Sequence, residues 1–169
     1  MSLQISVIGS SEASNKGLQL AHSVGRELGK QGVTVVTGGL FGIMEAVSKG
    51  VKETGGTTVG ILPGADPSAA NQYVDIRVCT GIGYARNVVV VRSGLSVIAI
   101  EGAYGTLSEI AHALGDGIPV IGLDTWSFQR EGRDGESMMV AKNPVEAANM
   151  AIGAAKERYR WIMNQGRNE

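Results

Sequence analysis

Leu95-Ser96-Val97-Ile98-Ala99-Ile100 runs directly into Glu101-Gly102-Ala103-Tyr104-Gly105-Thr106, and then into Leu107-Ser108-Glu109-Ile110-Ala111-His112-Ala113-Leu114. Five of the first six residues are apolar and three are β-branched, as in a strand covered on both faces. The middle six hold two glycines and read as a turn. In the last eight, Leu107, Ile110, Ala111 and Leu114 recur at helical spacing. A strand, a glycine turn and a helix form one half of a parallel crossover.

The same grammar repeats outward. Ile5–Ile8, Val33–Val36, Thr57–Leu62 and Ile118–Leu123 are further apolar runs, and Val74–Val78 is a weaker, alternating one. Helical spacing recurs at Leu18, Ala21, His22, Gly25 and Leu28, and again at Ile43, Ala46, Val47, Gly50 and Val51. Asn143-Pro144 reads as an N-cap followed by proline at the first helical position. Val145, Ala148, Ile152, Ala155, Tyr159 and Ile162 then form one apolar stripe. The fold class expected is α/β: one doubly wound domain over residues 1–169, with a mainly parallel sheet flanked by helices. Gln129–Ser137, polar and glycine-bearing, reads as a mobile surface loop.

Composition narrows the function. The 169 residues carry 15 basic and 16 acidic side chains, and the net charge of −1 argues against a nucleic-acid partner. No apolar run has membrane-spanning length, and Met1–Ile5 lacks the basic start of a secretory signal. One cysteine, Cys79, cannot form an internal bridge, so a reducing cytoplasm is the expected location. With no Cys or His beside it, no metal site is expected.

Glycine is the outlier, with 25 residues, about twice its ordinary share. Four clusters follow a predicted strand and precede a predicted helix: Gly9-Ser10-Ser11, Thr37-Gly38-Gly39-Leu40-Phe41-Gly42, Thr80–Arg86, and Glu101–Thr106. In a parallel sheet they share the C-terminal edge, where open α/β sheets bind ligands. Helix starts there present free N–H groups and partial positive charge, and glycine lets backbone approach an anion. A phosphate-containing ligand is therefore expected. Gly9 alone does not make a dinucleotide fingerprint, and no P-loop pattern exists, so neither NAD nor P-loop chemistry is expected.

Thr37-Gly38-Gly39-Leu40-Phe41-Gly42-Ile43-Met44, followed by Gly102-Ala103-Tyr104-Gly105-Thr106-Leu107-Ser108-Glu109, resembles the paired motifs of the LOG family. These are Rossmann-like proteins once labelled "possible lysine decarboxylase". Arg86-Asn87 and Asn71-Gln72-Tyr73 are similar to a subgroup that includes molybdenum-cofactor carriers. The resemblance implies an AMP-like nucleotide ligand and a homodimer. It also implies, in catalytic members, hydrolysis of the base–ribose bond of a nucleoside 5′-monophosphate. Arg86 and Glu109 would then be the catalytic pair. Ser10, Gly38, Gly39, Gly42, Asn87, Gly102, Ala103, Tyr104, Gly105 and Thr106 would line the ligand. Asn87 stands where the family has lysine, and Glu101 where it has proline. Both departures favour the alternative, a non-catalytic carrier or sensor of a nucleotide or molybdopterin, with no required cofactor. Decarboxylation has no support, since none of the four turns holds a lysine for a Schiff base.

Each residue also has a plainer reading. Thr106-x-x-Glu109 is a capping box, in which Glu109 bonds backbone and does no chemistry. Arg86, in a first helical turn, opposes the helix dipole and so needs a partner, either Glu109 or a ligand oxyanion. Ser10 serves equally well as an N-cap, Met44 as core, and His112 as core or dimer face. The apolar helices at Ile43–Val51 and Leu107–Leu114 are expected to pair across a two-fold axis.

Overall fold

The computed structural model describes residues 3–127 and 138–165. The expected loop at Gln129–Ser137 lies outside the described residues. Seven strands, all parallel, form one sheet: β1 (Gln4–Gly9), β2 (Thr34–Thr37), β3 (Thr57–Leu62), β4 (Ile76–Cys79), β5 (Ser96–Ile100), β6 (Val120–Leu123) and β7 (Met139–Val140). Their order is β4-β3-β2-β1-β5-β6-β7. The winding reverses between β1 and β5, which opens a crevice at their C-terminal ends. Helices α1 (Asn15–Lys30), α2 (Ile43–Glu53), α3 (Arg86–Ser93), α4 (Tyr104–Gly115) and α5 (Pro144–Gln165) cover the two faces.

The period of two along each strand supplies both cores. Ile5, Val7, Val35, Ile98, Ile100 and Ile121 pack under α1, α2 and α5. Ile8, Val36, Val97, Ala99 and Val120 pack under α3 and α4. No described helix is long and apolar enough to cross a membrane.

Three expectations change. The weak strand starts two residues later and ends one later, at Ile76–Cys79, and all four residues are exposed at the sheet edge, where no burial pattern marks them. The α5 stripe is offset: Ala147, Ala148, Ala151, Ile152 and Ala155 are buried, while Val145 and Ile162 are exposed. Asn143 does cap this helix, its Oδ1 accepting from Glu146 N at 2.9 Å. Finally, the surplus apolar surface of α2 is covered by α1 rather than left for a second copy. A Cβ on Gly25 would collide with the Val47 carbonyl, and one on Gly50 with that of His22, so the two backbones touch.

Candidate functional site

The first two corners hold one another. Ile43 N donates to Ser10 O at 3.0 Å. Gly42, at φ +64°, lies against the Ser10 and Ser11 carbonyls, where a side chain has no room. Asn71 clamps the second corner: its backbone N reaches Gly39 O at 2.9 Å, and its Nδ2 reaches Leu40 O at 2.7 Å. Buried Asn71 is therefore a scaffold for the glycine turn.

Arg86 opens α3 and lies over the second corner. A Cβ on Gly38 would stand 2.5 Å from Arg86 Nη2 and 2.7 Å from Met44 Sδ. Gly38 lacks a side chain because the guanidinium sits there. Arg86 is 8% exposed and Glu109, on α4, is 6% exposed. Their closest approach is 3.6 Å, from Nη1 to Oε1, an ion pair without a hydrogen bond. Nη1 donates to Asn87 Oδ1. Nε is buried and has no partner among the described residues. Burial pushes the Arg86 pKa down against the pull of Glu109. Burial raises the Glu109 carboxyl to about 7, and Arg86 only partly opposes this. A carboxyl half protonated near neutral pH, beside a guanidinium with unspent donors, can bind an oxyanion or move a proton.

The Thr106–Glu109 capping box does not form. The N-cap of α4 is Ala103, so Thr106 lies inside the first turn, buried, and Glu109 faces Arg86. No side chain caps α4. Gly105 faces open space, whereas a Cβ on Gly102 would meet the Thr106 side chain.

Ser10 is not an N-cap either. Ser14 caps α1, its Oγ accepting from Gly17 N at 3.0 Å, while Ser10 Oγ accepts from Glu12 N. Gly39, at φ +75°, packs on Gly60 and Leu62. Gly38, Gly39 and Gly42 are thus each required by the protein's own packing, where a Cβ would meet Arg86, Leu62 and the Ser10 and Ser11 carbonyls. Met44 is buried, as the core reading expects. His112 is exposed, so it is no core residue.

Around this cluster stand exposed apolar side chains. Tyr84 is 91% and Tyr104 81% exposed, and Phe41 and Ile82 are also open to solvent. Tyr104 leans on Trp126, with ring centroids 5.9 Å apart. Ser14 and Glu101 were invisible as a pair in the sequence: the Glu101 carboxylate accepts from Ser14 N and Oγ, 87 positions away.

The chain is 39% identical to an uncharacterized protein of Archaeoglobus fulgidus over 153 residues, 90% of this chain and 97% of the relative. The molybdenum cofactor binding protein of Rippkaea orientalis superposes with a TM-score of 0.82 at 31% identity, covering 90% of this chain and 97% of that one. The molybdenum cofactor carrier protein of Chlamydomonas reinhardtii gives 0.80 at 32% identity, covering 91% and 98%. The SLOG cluster4 family model matches residues 2–150. With this glycine-cornered parallel sheet and these relatives, the chain belongs to the SLOG cluster4 family.

Proposed function

We propose that the chain binds a phosphate-bearing small molecule with a flat heteroaromatic ring, of the molybdopterin or purine-nucleotide kind, and acts as its carrier. The observation that carries this reading is Arg86, a buried guanidinium whose Nε has no protein acceptor among the described residues. Leaving such a donor unpaired costs about 1–3 kcal/mol, and a ligand oxyanion would recover it. The uncapped start of α4 at Ala103–Thr106 offers amide donors for a phosphate. Tyr84, Tyr104 and Phe41 offer faces for a ring. The likeness to proteins that bind or carry the molybdenum cofactor supports the same choice. The working state is taken as a homodimer in the cytoplasm, where the exposed free thiol of Cys79 stays reduced.

The test is retention of ligand. Protein purified anaerobically from a host that makes molybdopterin should release a fluorescent pterin on oxidation, and AMP titrated calorimetrically should bind the same site. Arg86→Ala should lose both, by about tenfold or more in affinity. Absence of pterin together with a flat AMP titration would overturn the reading.

Glu109 favours a second reading, N-glycosidic hydrolysis. Its protonated form would give a proton to the departing base as the C1′–N bond breaks. Water would add to C1′ and return a proton to the carboxylate. Free adenine from AMP with the wild type, absent with Glu109→Gln, would establish turnover; equal background from both would leave carriage alone.

A further inference from the structure

Five helices start at the C-terminal edge of the sheet, and side chains cap two of them, Ser14 at α1 and Asn143 at α5. α2, α3 and α4 have no side-chain cap. At α1, Ser14 is the cap, and the first turn contains no acidic residue of its own. The anion it receives comes from the end of β5: Glu101 Oε2 accepts from Ser14 N at 3.1 Å, and Oε1 accepts from Ser14 Oγ. A Cβ on Gly17 would fall on this carboxylate, so the group lies directly against the first turn of the helix.

The placement is held from behind. Glu101 has φ +47°, and its neighbour at the end of β6, Asp124, has φ +53°. Such backbone costs a non-glycine residue about 1–3 kcal/mol and persists only where the surroundings enforce it. Here Glu101 N donates to Asp124 O at 3.1 Å, Thr125 Oγ1 donates to Glu101 O, and Lys16 of α1 pairs with Asp124 at 2.7 Å. The ends of β5 and β6 are thereby tied to the start of α1. In a doubly wound sheet this start, beside the switch between β1 and β5, is where a dinucleotide rests its pyrophosphate.

We infer that Glu101 is a specificity-determining residue: its carboxylate occupies the anion position at the start of α1, restricting the site to ligands with one phosphate, seated at α4. The inference rests on the proposed function, since it presumes a phosphate at α4. A ligand with a diphosphate would place its second charge against Glu101 and Asp124, where the donors of Ser14 are already used. Gly105 beside the uncapped start of α4 leaves the single seat open.

The test follows backbone amides by two-dimensional NMR during titration with inorganic phosphate and, separately, pyrophosphate. In the wild type, phosphate should shift the amides of Tyr104, Gly105 and Thr106 and leave Asn15, Lys16 and Gly17 unmoved. Glu101→Gly removes the carboxylate and suits the positive φ, so its fold is not penalised there. In that variant pyrophosphate should also shift the α1 amides and bind about tenfold tighter than to the wild type. Glu101→Gln, which keeps the acceptor and removes the charge, should fall between them. Movement of the α1 amides in the wild type, or no gain for pyrophosphate in Glu101→Gly, would overturn the assignment. Phosphate that leaves Tyr104–Thr106 unmoved in every variant would instead overturn the underlying seat at α4, and the assignment with it.

Discussion

Glu109 is the residue at which burial and charge compete most openly. Its carboxyl keeps a proton to about pH 7 when folded, against about 4.5 in an open chain. Between those values the folded state binds more protons than the unfolded state, so stability falls as pH rises. The group's contribution is complete below pH 4.5 and is lost as pH rises through 7. The full difference is roughly 3 kcal/mol. Arg86 does not reverse the sign, because its approach at 3.6 Å lacks a hydrogen bond and both groups are desolvated. Glu109→Gln mimics the neutral carboxyl. It should match the wild type in urea unfolding at low pH and exceed it at pH 8, by up to roughly 3 kcal/mol. A constant difference between the two proteins across that range would show that Glu109 titrates normally. The cost of placing Arg86 in a first helical turn was legible from the residues alone, since a cation there needs a partner. The unpaired Nε was not, because it depends on what the fold fails to bring near.

At the scale of the element, Gly50 and Gly153 carry opposite instructions in the same conformation. Each lies inside a helix, where alanine is intrinsically better by about 1 kcal/mol. Gly50 faces the His22 carbonyl of α1 with no space for a methyl, whereas Gly153 on α5 faces nothing within contact. Backbone cannot step aside as a rotamer can, so Gly50→Ala should separate α1 from α2 and cost roughly 2 kcal/mol net. Gly153→Ala should gain up to about 1 kcal/mol. Thermal unfolding of the pair should move in opposite directions; a stabilised Gly50→Ala would mean the helices are not in backbone contact. This contrast also explains what could be read in advance. Strands buried on both faces announce themselves as unbroken β-branched runs, so β1, β3 and β5 were legible. β7 spans two exposed residues and carries no such mark. The glycine corners were legible as corners. The partner of each glycine, such as Arg86 over Gly38, lies far along the chain and emerges only when the sheet is wound.

On the scale of the whole molecule, α2 is covered by α1, so a second copy must find other apolar surface. The stretch from β4 into α3 provides it. Ile76 and Val78 lie exposed on the edge strand, Ile82 and Tyr84 follow in the corner, and Val89 is exposed on α3. Edge strands are ordinarily blunted by charge, and here Arg77 is the single charged residue among the four. Apolar surface of this kind is more often covered than left in water, and closed two-fold pairing is the commonest cover. Sedimentation at micromolar concentration should therefore give twice the 17.6 kDa of one chain. Ile76→Lys should return it to a monomer while leaving the fold unchanged by circular dichroism. Cys79, exposed at the end of β4 and the chain's one cysteine, supplies an independent reading. Its reaction with a thiol reagent should slow as concentration rises through the dimer range, and should lose that dependence in Ile76→Lys. A wild type that sediments as a monomer, with Cys79 equally reactive at every concentration, would place this face in water and reject the pairing.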